Sequence, residues 1–147
     1  MIIGIGSDPN ATQLREILAT HSATLGHEVV DFGSQDPIYP HTAIRVARAV
    51  VEGEVERGIV LCGTGIGVSI AANKVPGAYC ALVNDIYQAR RAQLSNRANL
   101  IAMGAQVIGA ELAKCLLEEY LSQSYDPRSR SAEKIAAIVE FEQGSMR

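Results

Sequence analysis

The segment Gly58-Ile59-Val60-Leu61-Cys62-Gly63-Thr64-Gly65-Ile66-Gly67-Val68-Ser69-Ile70-Ala71-Ala72-Asn73-Lys74 admits few conformations. Its apolar run 59–61 reads as a buried strand, and the stretch from Val68 to Lys74 reads as an apolar helix. Between them, Cys62 stands at the strand's carboxyl end, followed by glycines at 63, 65 and 67. A strand turning this tightly into a helix is a unit of an open α/β sheet, and such sheets bind ligands outside the carboxyl ends of their strands. The glycines allow the turn and leave backbone N–H groups free at a helix N-terminus. Those donors stabilise an anion and favour a thiolate over a thiol. A nucleophile or base beside an oxyanion site is an enzyme's arrangement, and Cys62 is the candidate.

The rest of the chain repeats the strand–helix alternation. Strands are predicted at 2–6, 28–32, 59–61, 78–83 and 99–103, and helices at 11–25, 41–54, 68–74, 86–94, 107–121 and 130–141. Gly26 closes the first helix as a C-cap, and Pro37 and Pro40 mark 33–40 as a loop. The expected fold is α/β: a Rossmann-like five-stranded parallel sheet with helices on both faces. The polar, proline-interrupted segment 122–131 leaves the last helix loosely tethered, so it is expected to pack on a partner subunit. No internal repeat or linker divides the chain, and 1–147 reads as one domain. A chain of this length buries roughly 70% of the surface it exposes when unfolded.

Composition excludes several classes. A net charge of −3 argues against a nucleic-acid partner, which needs a basic face. No apolar run approaches the ~18 residues of a membrane span. The start Met1-Ile2-Ile3-Gly4-Ile5-Gly6 reads as a first strand and not as a leader, so a cytoplasmic protein without membrane contact is expected. Three cysteines, at 62, 80 and 115, without CxxC spacing predict neither a disulfide framework nor a structural metal. Cys80 and Cys115 read as buried small apolar side chains.

Other candidates have two readings. Asp8, after the first strand, either contacts a ligand or caps the following helix. Tyr39 and His41 lie in the loop after strand two, where they line a pocket, or His41 simply begins a helix. His21 and His27 fall at the opposite rim and read as solvated. The turn 63–67 lacks the GxGxxG spacing after a first strand and is followed by no Gly-Lys-Ser/Thr, so it suits a small anion better than a nucleotide. Arg128, Arg130 and Lys134 form a basic cluster: a solvated face, or a phosphate grip if the helix crosses to a partner's cleft.

The stretch from Cys62 to Lys74 closely resembles the signature of the ribose-5-phosphate isomerase B and galactose-6-phosphate isomerase family. Gly6-Ser7-Asp8, Tyr39-Pro40-His41, Asn96 with Asn99-Leu100-Ile101-Ala102-Met103-Gly104, and Val107-Ile108-Gly109-Ala110-Glu111-Leu112-Ala113 extend the resemblance along the chain. It implies an aldose–ketose isomerase that uses neither metal nor other cofactor and works through a cis-enediolate. Cys62 is then the base, with Thr64 beside it and with Asp8 contacting the sugar. The N–H groups of Gly63, Gly65, Ile66 and Gly67 hold the enediolate oxygen, while Tyr39 and Asn96 line the pocket. Arg130 and Lys134 correspond to residues that bind the phosphate of the neighbouring subunit's substrate, implying a homodimer or tetramer.

Three positions depart from the family pattern. Pro9 and Ser95 stand where the family has histidines, the second being the ring opener, and Gln106 stands where it has an arginine. Three explanations are open. The substrate is a tetrose 4-phosphate, which cannot close a furanose ring through its blocked O4. Or a paralogous subunit supplies the missing groups, as in two-component galactose-6-phosphate isomerases, where this chain is a half-site or non-catalytic subunit. Or the pocket takes an unphosphorylated or differently charged sugar. A thiol hydrolase or transferase is disfavoured, because no histidine neighbours Cys62 in sequence.

Overall fold

A computed structural model describes residues 1–144. Its elements run β1 (Ile2–Ser7), a 3-10 turn (Pro9–Ala11), α1 (Thr12–Thr24), β2 (Glu28–Asp31), α2 (Tyr39–Val51), β3 (Arg57–Cys62), α3 (Ile66–Ala72), β4 (Cys80–Leu82), α4 (Ile86–Asn96), β5 (Leu100–Gly104), α5 (Ala110–Ser122) and α6 (Ala132–Glu142). All four strand pairings are parallel, in the order β2-β1-β3-β5-β4. The expected five-stranded α/β sheet is therefore present, with helices on both faces.

Side-chain alternation along the strands sorts the core into two layers. Ile3, Ile5, Ile59, Leu61, Ile101 and Met103 point to one face, where α1, α4 and α5 cover them with Leu14, Leu18, Ala89, Leu116, Leu117 and Tyr120. Val60, Cys62, Leu100 and Ala102 point to the other, under α2 and α3. The Ile-Gly alternation of β1 serves this asymmetry. A Cβ at Gly6 would lie 2.6 Å from Thr42 Cγ2, so α2 rides directly on the β1 backbone. Cys62 belongs to this second layer, beneath two helices and at the open end of the sheet.

Element boundaries shift where a turn overrides periodicity. Helix α3 begins at Ile66 instead of Val68, because Gly65 takes a left-handed φ of 77° and closes the turn at once. Helix α2 begins at Tyr39 instead of His41, with Pro40 in its first turn, where a missing N–H costs nothing. Helix α5 starts at Ala110 instead of Val107, because Gly109 is extended and 105–108 turn back onto Gly104. The edge strand β4 is only three residues long, since Ala78 bonds back to Val75 and Tyr79 N–H donates to Asn99 Oδ1.

Three expectations are corrected. Cys115 is exposed, because α5 buries the stripe Ala113, Leu116, Leu117 and Tyr120 and turns position 115 outward. His21 is half-buried, its Nε2 2.6 Å from Glu118 Oε1, tying α1 to α5. His27 is also half-buried, beside the amino terminus. Helix α6, tethered as lightly as expected, is fixed to its own chain through Glu142, which accepts from Gly77 N–H (3.1 Å) and Tyr79 O–H (2.9 Å), and through buried Ile135. It nonetheless exposes Ile138 and Phe141. Among the described residues no helix is long and apolar enough to cross a membrane.

Candidate active site

Strand order decides where the site lies. From β1 the chain moves outward to β2, then crosses back to β3 on the other side of β1, so the carboxyl ends of β1 and β3 flank the switch point. In the β1–β3 register, Ser7 pairs with Leu61, and Asp8 N–H donates to Leu61 O at 3.2 Å. Residues 54 apart in sequence, Asp8 and Cys62, thereby become neighbours at the mouth of the sheet. They share a cleft of about 410 Å³ with Tyr39, Gly63, Thr64, Ile66, Gly67 and Ile70.

Cys62 is buried at 5% exposure, and Gly65 N–H donates to its sulfur at 3.1 Å. The loop is pressed onto the end of β5. A Cβ at Gly65 would stand 2.8 Å from the Met103 carbonyl carbon, and Gln106 N–H donates to Gly63 O at 2.9 Å. Thr64 Oγ1 accepts from Ile66 N–H at 3.3 Å, capping the start of α3. Two of the loop's amides are thus turned inward in this state, one onto the sulfur and one onto the threonine.

Asp8 is a cap that stands at the edge of the cleft. Its carboxylate accepts from Asn10 N–H (3.0 Å) and Asn10 Nδ2 (3.2 Å), capping the 3-10 turn, and it also lines the cleft. Tyr39 arrives over Gly67: a Cβ there would lie 2.5 Å from the ring, so only glycine lets the tyrosine cover the first turn of α3. The tyrosine's helix is started by Asp36, which periodicity did not single out. Asp36 Oδ1 accepts from Ile38 N–H (2.8 Å) and Oδ2 pairs with His41 Nδ1 (2.9 Å). The Ile38 N–H first, and His41 second, hold the Asp36 carboxyl below the ordinary carboxylate value. His41 therefore organises the loop and does not line the cleft. Ile70, the other residue that sequence reasoning missed, follows Ile66 by one turn, which is the only signal of its position.

The structure does not bring Asn96, Arg130 or Lys134 to this cleft within one chain. The β4–β5 connection carries α4 back toward the strands' amino ends, so Ser95 and Asn96 lie at its far end. Arg130 and Lys134 line a separate cleft with Ser95. Among the described residues, Asp8 is the one charged side chain lining the Cys62 cleft, and no cation lines it. A larger cleft of about 640 Å³, bounded by Tyr79, Arg97, Asn99 and Tyr125, is lined among the described residues by no thiol, carboxylate or imidazole and does not offer this chemistry. Cys80 is no rival nucleophile, since burial pushes its thiol up to about 12.

A parallel α/β sheet with a shielded cysteine and a glycine-rich amide loop at its switch point defines a small-molecule enzyme of the metabolic α/β class. The Ribose/Galactose Isomerase family model matches residues 3–138, and the chain belongs to that family. It is 41% identical over 144 residues to the D-erythrulose-4-phosphate isomerase of Pectobacterium atrosepticum, covering 95% of this chain and 94% of that one. It is 40% identical over 131 residues to D-erythrulose-4-phosphate isomerase 2 of Mycolicibacterium smegmatis, covering 88% and 86%. Among solved structures, Clostridium thermocellum ribose-5-phosphate isomerase B superposes with a TM-score of 0.93 at 40% identity, covering 99% of each chain.

Proposed function

We propose that the protein is an aldose–ketose isomerase that interconverts D-erythrulose 4-phosphate and its aldose through a cis-enediolate, with Cys62 as the base. The Cys62 thiolate takes a proton from the carbon beside the carbonyl. The electron pair of that C–H bond forms the C1–C2 double bond as the carbonyl π pair moves to oxygen. The hydroxyl proton then passes to the former carbonyl oxygen and the proton held on Cys62 is delivered to the former carbonyl carbon, so no cofactor is consumed. Backbone N–H groups of residues 63–67 receive the charge that develops on oxygen, those of Gly65 and Ile66 by turning away from Cys62 Sγ and Thr64 Oγ1, and this type of interaction usually supplies the largest share of catalysis. Asp8, Thr64 and Tyr39 contact the sugar hydroxyls.

The observation that carries the choice of substrate is Ser95, where the family's ring-opening histidine is expected. A tetrose 4-phosphate has its O4 esterified and stays open, so it needs no ring opener. Two relatives named for D-erythrulose 4-phosphate support the same reading. Among the described residues the Cys62 cleft is lined by Asp8 and by no cation, which favours a second chain as the source of positive charge for a substrate phosphate. A homodimer in which Arg130 and Lys134 of one copy meet the Cys62 cleft of the other supplies it, with Asn96 arriving on the same surface. The same absence of cations favours, as a second reading, a paralogous subunit in place of the second copy.

The test is solvent-deuterium incorporation followed by NMR, using the purified protein alone with four-, five- and six-carbon sugar phosphates. Label at C1 or C2 of the tetrose phosphate, with its partner sugar appearing, is the expected result. Cys62→Ala abolishes exchange at unchanged melting temperature. Exchange that persists in the variant refutes the base assignment, and exchange only after a second gene product is added turns the reading to a two-component enzyme.

A further inference from the structure

We propose that Arg91, oriented by Ser95, is a phosphate-binding and specificity-determining residue of this enzyme, completing with Arg130 and Lys134 a three-cation anion site. The inference rests on the isomerase reading above. Tyr87, Arg91 and Ser95 are spaced by four residues on α4 and form one stripe along it, and the segment 129–134 lies across that stripe. Together they enclose a cleft of about 570 Å³ whose lining, among the described residues, holds three cations and three serine hydroxyls and no carboxylate.

The charge pattern is unusual for this chain, in which 16 acidic residues outnumber 13 basic ones. Arg15, Arg90, Lys114 and Arg128 pair with carboxylates, while other cations such as Arg45, Arg57 and Arg97 do not; what sets Arg91, Arg130 and Lys134 apart is that all three line one cleft. Among the described residues, Arg91, Arg130 and Lys134 form no ion pair. Three like charges sharing one cleft repel one another, and an anion placed among them converts that repulsion into attraction. The serine hydroxyls add neutral donors of the kind that complete a phosphate's coordination.

The geometry of Arg91 distinguishes it from a solvated surface arginine. Its Nε–H donates to Ser95 Oγ at 2.6 Å, one helical turn further on. A guanidinium has five N–H donors in a fixed plane, so this bond holds one and leaves the two Nη groups to grip an anion side-on. Serine at 95 thereby acquires a role unlike that of a ring opener: it is a positioning residue that aims a cation. A histidine there serves proton transfer on a cyclic sugar, whereas serine with Arg91 serves charge on an open one. The smaller substrate, with fewer hydroxyls to bind, depends more heavily on its phosphate.

The test uses full-length protein and D-erythritol 4-phosphate, which carries the phosphate but has no carbonyl to isomerise, with binding measured by calorimetry. Arg91→Gln is expected to weaken binding by about 10- to 100-fold, the range for losing a charge-assisted pair, and Arg91→Lys to restore part of it. Ser95→Ala weakens binding by about tenfold or less. Both variants raise KM for the tetrose phosphate more than they change kcat, and melting temperatures stay within about 2 °C of wild type because the site is open to solvent. Arg91→Gln that binds within twofold of wild type overturns the inference, as does wild-type protein that does not bind the ligand. Protein that binds the ligand, loses that binding on Arg91→Gln and isomerises no tetrose phosphate supports the anion site while overturning the choice of a tetrose phosphate as the substrate of this chain alone.

Discussion

The close fit of the Gly65 turn against β5 can be separated from its backbone conformation by comparing two glycines. Gly65 has φ +77° and Gly26 has φ +87°, so alanine at either position adopts a left-handed conformation at a cost of about 1–2 kcal/mol. Around Gly26 nothing lies within 4 Å of the added Cβ, and that cost stands alone. At Gly65 the Cβ meets Leu82 Cδ1 at 2.7 Å, Met103 C at 2.8 Å and Gly104 N at 3.1 Å. The leucine methyl can rotate away, but the β5 backbone is held between β3 and β4 and cannot. Overpacking of this kind adds about 1–3 kcal/mol, so Gly65→Ala should lose about 2–5 kcal/mol in total. For a chain of this size that lowers the melting temperature by about 4–20 °C, against about 2–8 °C for Gly26→Ala. Urea unfolding at one fixed protein concentration measures both, with the m-value checked for constancy. Activity should separate further: Gly65→Ala moves the N–H that contacts Cys62 Sγ and lowers kcat/KM by at least about tenfold, while Gly26→Ala, at the far end of α1, leaves it unchanged. Equal losses of stability in the two variants would refute the argument from packing.

Two further outcomes follow from the titrating groups. Iodoacetamide at about pH 8 should label Cys115 on its exposed face without loss of activity, and should spare Cys80, half-buried and with a thiol that stays protonated well above that pH; peptide mapping that finds Cys80 labelled as readily as Cys115 in native protein contradicts this shielding. Activity should instead decline in step with labelling of Cys62. Asp36, held below its ordinary value by the Ile38 N–H and then by His41, contributes stability that is present above the unfolded carboxyl's value and is lost as pH falls through the folded one. Asp36→Asn should therefore melt below wild type at neutral pH and converge with it in acid, while raising KM through a less well-placed Tyr39. A melting difference that persists unchanged in acid would show that the carboxylate's charge is not what holds the loop.

Much of the site is legible locally. A strand, a tight glycine turn and a helix are specified by residues within a few positions of one another, because backbone dihedrals and hydrogen-bond closure depend on near neighbours. Cys62 at a strand's carboxyl end, the loop 63–67 and Gly26 as a helix stop are all readable on that basis. The same locality explains the boundary errors: periodicity alone could not show that Gly65 lets α3 start two residues early, or that Asp36 starts α2 at Tyr39. It also explains Cys115, since an apolar helix does not state which of its faces another layer will cover.

What the sequence by itself determined, then, is the set of elements and the chemistry carried on the third strand. Tertiary structure decided which groups meet. Asp8 joins Cys62 only because β3 returns to pair with β1, Tyr39 reaches the cleft only because α2 lies over a glycine of α3, and Arg91 shares a cleft with Arg130 and Lys134 only because the 129–134 segment crosses α4. These contacts join residues 28 to 54 positions apart. No local dihedral or side-chain period encodes them; they follow from strand order and from which apolar faces must be buried against each other.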